Sequence, residues 1–316
     1  MGSIDLLLPI AAADAVGLPF GGRYAENLQT LEPLTQRARD FTLNDWTDDT
    51  DLTVCVGRAI IETGGEEDFE MNVAARIAQW VRIGIPKLGD QYGQGCGGHL
   101  SRVTKDPGYD RDPLGTAAHH SYMSAGNGSL KRTALTALMP RELELAARQG
   151  RVTHSDPRCV GSCVLLDEIL RHMPRFPAPV TDAAVLRPAF LRARPAFAEH
   201  WKVATTWFRK CQRLDDLELD SRDNRSFVLK TATVAIWAVQ RLHKCNADTV
   251  PADFFRDSVV HLVRRGGDAD TNAVVAAAVW GKYFGAKCVP ADWANKLPHI
   301  EWLYEVLDCG ADPAPN

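Results

Sequence analysis

The run Gly266 to Gly285, GGDADTNAVVAAAVWGKYFG, leaves the chain little freedom. From Ala273 to Trp280 it is apolar on every side of a helical period, so a helix here must be enclosed by other elements, in the middle of a domain. Its start is acidic. Asp268 and Asp270 suit the positive end of a helix dipole, and Asp caps helices well. One cap needs one Asp, however, and two carboxylates aimed into a domain centre are costly unless a cation neutralises them. The same oddity occurs upstream at Thr47-Asp48-Asp49-Thr50-Asp51, again ahead of an apolar helix. Taken singly, either cluster reads as a solvated cap. Together, two clusters of hard oxygens mounted on helix starts are what a binuclear Mg2+ or Mn2+ site needs.

The rest of the chain is read by period and punctuation. Helical spacing is expected over 48–63, closed by Gly64-Gly65, and over 68–83, with Val73, Ile77, Trp80 and Val81 inward. Further helices are expected over 158–172, 196–214, 225–245, 252–265 and 271–285, with a short one near 298–307. Residues 21–46 read as loop with a short helix at 33–39. The stretch 84–128 carries ten glycines and no period, and a long unpatterned segment in a compact domain is usually functional. It ends at Ser124-Ala125-Gly126-Asn127-Gly128-Ser129, and the following LKRTALTALM reads as a helix. The Pro- and Arg-rich segment 174–195 reads as a surface excursion rather than a domain boundary. Strand alternation bounded by turn residues is absent. The expectation is an all-α fold, one domain over 1–310 with a disordered tail at 311–316.

Composition narrows the function. At 316 residues, 45% apolar and 24% charged, the chain can bury a large core. A net charge of −4 argues against a nucleic-acid footprint, which needs excess Lys and Arg. None of the 8 cysteines falls in a zinc spacing, and packed thiols in a reducing compartment are expected. The apolar run Leu6 to Gly17 is broken by Pro9 and Asp14, too short for a signal peptide or membrane span. A cytoplasmic monomer with no membrane association is expected. Three features stay open on their residues alone. Asp14, in a small-residue helix, is either a hydrogen-bonded core acid or a support for the metal cluster. GNGS at 126–129 is either an ordinary turn or a phosphate cradle. His154 is either a core histidine or a contact to an anionic ligand.

In order, AAADAVGLPF, WTDDTDLT, SAGNGSLKR, THSDP and GGDADTNAVVAAAVWGKYFG resemble the ADP-ribosylglycohydrolase family over about residues 9–297. The resemblance implies an all-α domain with two divalent cations, Mg2+ or Mn2+, in a central cleft. Thr47, Asp48 and Asp49 would ligate them from one side and Asp268, Asp270 and Thr271 from the other. Ser124, Gly126, Asn127, Gly128 and Ser129 would bind the diphosphate of ADP-ribose, with His154 beside them. It also implies hydrolysis at C1″ of ADP-ribosylated proteins or small molecules, through an oxocarbenium-like state, releasing ADP-ribose. Asp48, Asp49, Asp268 and Asp270 would be the catalytic carboxylates, one of them left to accept a proton from water.

Two departures from the family pattern stand out. Where many bacterial members carry an Asp in the glycine-rich stretch, this chain reads GQGCGGHLS, with Cys96 and His99. Where serine-directed members carry a Glu beyond the Asp14 position, this chain has Gly21, and the nearest acid is Glu26. N-linked arginine is therefore expected over O-linked serine. The alternative is an ADP-ribose-binding or crystallin-like relative without turnover.

Overall fold

A computed structural model of the chain describes residues 2–30, 32, 34, 42–121 and 124–307. The short helix expected at 33–39 and the tail 311–316 lie outside these. Among the described residues there are fourteen α-helices. These are α1 (Ile4–Gly17), α2 (Asp48–Thr63), α3 (Phe69–Ile83), α4 (Gly98–Thr104), α5 (Pro113–His120), α6 (Leu145–Arg151) and α7 (Pro157–His172). They continue as α8 (Leu186–Ala193), α9 (Trp201–Phe208), α10 (Val228–Arg241), α11 (Pro251–Val263), α12 (Ala269–Phe284), α13 (Ala291–Ala294) and α14 (Ile300–Glu305). Short 3-10 turns join them. No sheet forms among the described residues, which hold only two isolated bridges, Tyr24 to Gly266 and Gly126 to Phe227. The all-α expectation holds.

The centre is α12 with α1 laid antiparallel along it, the most extensive helix pair in the molecule. Every residue of α1 from Leu6 to Gly17 is buried. Two glycines let the backbones approach. Gly17 faces the first turn of α12, where a Cβ would lie 2.5 Å from Asp270 Cα. Gly281 faces the start of α1, where a Cβ would lie 2.8 Å from the Asp5 carbonyl oxygen and 3.0 Å from Pro9 Cγ. That carbonyl is the one that Pro9, lacking an N–H, leaves without its helical partner. α7, α10 and α11 enclose α12 on its other sides, and α2 packs between α1 and α3. Trp280, fully buried, donates its indole N–H to the Ala238 carbonyl at 3.1 Å.

Two expectations about individual segments are corrected. LKRTALTALM is not an α-helix: 128–132 is a succession of turns, followed by a 3-10 helix over Ala134–Leu138. The hydroxyls of Thr133 and Thr136 donate to the carbonyls of Ser129 and Thr133, which competes with regular helix. Lys131 and Arg132 both turn inward to buried acceptors. The segment 174–195 is not a surface excursion. It contains α8, buries Val180, Val185, Leu186, Ala189 and Ala193, and packs onto α7. Beyond it, Phe197 fills the notch at Gly161, where a Cβ would meet its ring at 2.5 Å. Seven cysteines are free thiols, as expected; Cys309 lies outside the described residues.

Candidate active site

The N-terminal ends of α2 and α12 face one cleft of about 610 Å3. Each start is shaped by local sequence. Thr47 caps α2, its hydroxyl accepting from the Asp49 N–H at 3.2 Å. The cap is thus supplied without Asp48 and Asp49, which line the cleft at 6% and 1% exposure. A solvated cap would leave them in water. At α12 the chain enters through Gly266 and Gly267, at φ of 67° and 72°. A Cβ on Gly267 would stand 1.9 Å from the Leu219 carbonyl oxygen, so only glycine fits there. Asp268 then caps nothing. Its Oδ2 accepts across the cleft from Asn127 Nδ2 at 2.7 Å, and Asp270 Oδ1 accepts from the Thr271 N–H at 3.0 Å.

Asp14 is a support for the cluster and not a wall of the cleft. It is fully buried on α1, and its carboxylate accepts four hydrogen bonds, from the N–H and hydroxyl of both Thr47 and Thr50, at 2.7–3.1 Å. These tie α1 to the first turn of α2. Asp51 does similar work further along, accepting the indole N–H groups of Trp46 and Trp80, each at 2.9 Å. Burial pushes its carboxyl up to about 7.

The cluster is electrostatically frustrated. Burial first, then repulsion from Asp268, Asp49 and Asp14, holds the Asp270 carboxyl well above the usual range. Burial also raises Asp49, and pushes Asp48 up to about 7 with Lys131 opposing it. Asp49 Oδ2 is buried without a hydrogen-bond partner. Lys131, missed from sequence, contacts both Asp48 Oδ2 and Asp49 Oδ1 with its ammonium. Burial alone would depress its pKa, but these two carboxylates hold it well above the usual lysine value. As they stand, no three acidic, His or Cys side chains among the described residues are arranged as a metal site. The donor set still fits a cation: two buried carboxylates, Asp48 and Asp49, two half-buried ones, Asp268 and Asp270, one oxygen unpartnered, and one neutralising ammonium.

Of the residues expected to bind phosphate, only some reach the cleft. Gly126, Asn127 and Gly128 line the cleft. Ser129 is fully buried behind it, its hydroxyl accepting from the Cys163 thiol at 3.4 Å, and Ser124 lies outside the lining. The Asn127 N–H is committed to the Ser226 carbonyl, and the Val228 N–H returns to Ala125. No α-helix follows the loop, so a helix dipole does not add to it. That backbone stitch instead brings Arg225 and Ser226 into the lining, a second segment not anticipated from sequence. His154, also in the lining, packs on Gly128, where a Cβ would meet its Cε1 at 2.9 Å. Its Nδ1 pairs with Thr153 Oγ1 at 2.7 Å, and its ring lies 4.5 Å from that of His99. Burial holds His154 well below the usual imidazole value, hence neutral. At the mouth, Gly21, Gly22 and exposed Arg23 line the cleft.

The family model for ADP-ribosylglycohydrolase matches residues 4–312. The chain belongs to the ADP-ribosylglycohydrolase family. Its relatives include ADP-ribosylarginine hydrolase Tri1 of Pseudomonas putida (strain GB-1), 25% identical over 98% of this chain and 78% of that protein. ADP-ribosyl-[dinitrogen reductase] glycohydrolase of Rhodospirillum rubrum is 20% identical over 79% of this chain and 73% of that protein. ADP-ribosylhydrolase ARH3 of Mus musculus is 23% identical over 92% and 83%. A solved ADP-ribosylglycohydrolase-related protein complex shares the fold, with a TM-score of 0.64 at 22% identity, covering 96% of this chain and 94% of that one. Among the described residues no ADP-ribosylglycohydrolase helix is long and apolar enough to cross a membrane.

Proposed function

We propose that the chain hydrolyses the C1″ N-glycosidic bond of ADP-ribosylated arginine, using divalent cation held among Asp49, Asp268, Asp270 and Thr271, beside Asp48. Family membership supports ADP-ribosyl hydrolysis in general. The observation that carries the cation is the unpartnered, buried Asp49 Oδ2 inside a cluster of mutually repelling carboxylates. Bound there, Mg2+ or Mn2+ would supply Lewis acidity toward water and charge for the ribose hydroxyls. Thr47, which lines the cleft beside Asp48, also caps α2 and bonds Asp14.

The chain's own groups account for the rest. Gly126 and Gly128 let the diphosphate approach the backbone, and Arg225 adds charge beside them. Neutral His154 closes the floor of this pocket. Phosphate binding remote from the bond supplies the energy that orients the sugar. Asp48, which lines the cleft and is oriented by Lys131, accepts the proton of the attacking water. The leaving group decides specificity. A guanidine departs readily once protonated, whereas a serine alkoxide needs a general acid, whose loss costs about 10²–10⁴-fold. Gly21 and Gly22 supply none, and Asp14 is fully engaged elsewhere. The name of the Pseudomonas relative points the same way.

A matched panel of arginine- and serine-linked ADP-ribosyl peptides, run with and without EDTA, tests this. Release from the arginine substrate, lost in EDTA, is expected. Comparable or faster release from serine would sink the arginine assignment, and would bring in Glu26 as the acid. Tight ADP-ribose binding with no release from either would favour a binding protein.

A further inference from the structure

Lys131 places a positive charge of the chain's own inside the acidic cluster. The residue is 8% exposed, and its ammonium touches one oxygen each of Asp48 and Asp49. The backbone beneath it is fixed. The N–H groups of Leu130 and Lys131 both return to the Asn127 carbonyl, the Lys131 carbonyl accepts from Thr53 Oγ1 at 3.4 Å, and Leu130 and Arg132 are fully buried on either side. With its stem enclosed, the ammonium stays with these two carboxylates.

Those carboxylates are the α2 half of the cluster. A cation coordinated by the same oxygens would lie roughly 2 Å from them, in the space the ammonium fills. Two like charges would then meet with no anion between. The α12 half differs. Among the described residues Asp268 and Asp270 form no ion pair with a basic side chain, and the Asp49 oxygen that Lys131 does not touch has no partner. We infer that Lys131 stands in for one metal. The centre takes a single divalent cation on the side of Asp49, Asp268, Asp270 and Thr271, while Lys131 holds Asp48 and the other oxygen of Asp49. An ammonium donates hydrogen bonds and neutralises charge, but it has no coordination position to offer water or a ribose hydroxyl. This inference rests on the cation reading above and fixes its count.

The probe is Mn2+, titrated into the metal-free full-length protein and followed by calorimetry and electron paramagnetic resonance. One ion per chain is expected, with the hyperfine pattern of an isolated Mn2+. Lys131→Met keeps the length of the stem and removes the charge, and is expected to take two ions with a spin-coupled spectrum. Lys131→Arg should keep one. Two coupled ions in the unaltered protein overturn the inference and leave the cation reading standing, whether or not the Met variant folds. A single ion in a folded Lys131→Met overturns the role of the lysine. No Mn2+ uptake by either protein removes the cation reading itself, and the inference with it.

Discussion

Replacing Gly17 with alanine drives a methyl group into the backbone of α12. The added carbon would stand 2.5 Å from Asp270 Cα and 2.7 Å from its amide nitrogen, where ordinary contacts begin at 3.4 Å. The helices must part by about 0.9 Å at this point, because both obstructing atoms are main chain. Overpacking of this kind costs about 1–3 kcal/mol. Gly281→Ala is the matched companion, 2.8 Å from the Asp5 carbonyl oxygen at the far end of the same pair. Both variants should melt lower, by ~2–4 °C per kcal/mol in a domain of 150–250 residues and somewhat less in this longer chain. Activity should separate them. Gly17 bears directly on Asp270, and a ~1 Å misplacement in an active site can cost ~10²-fold. Gly281 lies about 16 Å further along the helix. Thermal melts with kcat on arginine-linked ADP-ribose should therefore show two destabilised proteins, of which Gly281→Ala keeps close to the parent rate. An unchanged melt for Gly17→Ala would refute the close approach. Equal rate losses would refute the idea that α1 sets the position of Asp270.

Asp14→Ala strands four buried donors, and at about 1–3 kcal/mol for each unsatisfied group should cost at least ~3 kcal/mol even after the hydroxyls re-aim; a loss under ~1 kcal/mol in urea unfolding would contradict the bonded arrangement. His154 gives a pH signature. Burial depresses its folded-state pKa, so the unfolded chain binds the extra proton below the ordinary value of 6.5. Stability contributed by the neutral ring is present above that pH and falls, by ~1.4 kcal/mol per unit, as the pH drops below it. His154→Gln removes this slope, so the parent's melting advantage over the variant should shrink between pH 7 and pH 5. A difference that does not vary with pH would mean that the ring is not held neutral.

What could be read from the chain alone was whatever local chemistry decides. α2 begins and ends where expected, because Thr47 caps it and Gly64, at φ 61°, closes it. α12 was legible because no surface helix could carry so unbroken an apolar run. Both carboxylate clusters were legible for the same reason, as charges placed where a fold has to answer for them. Lys131 was not. Nothing within a helical turn of it signals burial, and the first of the two acids that hold it, Asp48, lies 83 residues away on α2. The bond from Asn127 to Asp268 spans 141 residues. Arg225 enters the cleft only because the 125–127 backbone pairs with 226–228. The turns at 128–132 were misread as helix on propensity, which tertiary partners for Lys131 and Arg132 override.

The antiparallel pairing of α1 with α12 also bears on synthesis. α1 leaves the ribosome some 250 residues ahead of its partner, and at ~5–20 residues per second it waits roughly 13–50 s. Throughout that time the nascent chain carries a helix with no polar face to turn toward water. Asp14, in its last turn, lacks its four donors until α2 docks, and Gly17 has nothing to pack against until Asp270 arrives. Such a segment is a natural client for a chaperone that masks apolar surface. A chain released before α12 is made has no means of hiding α1 by itself.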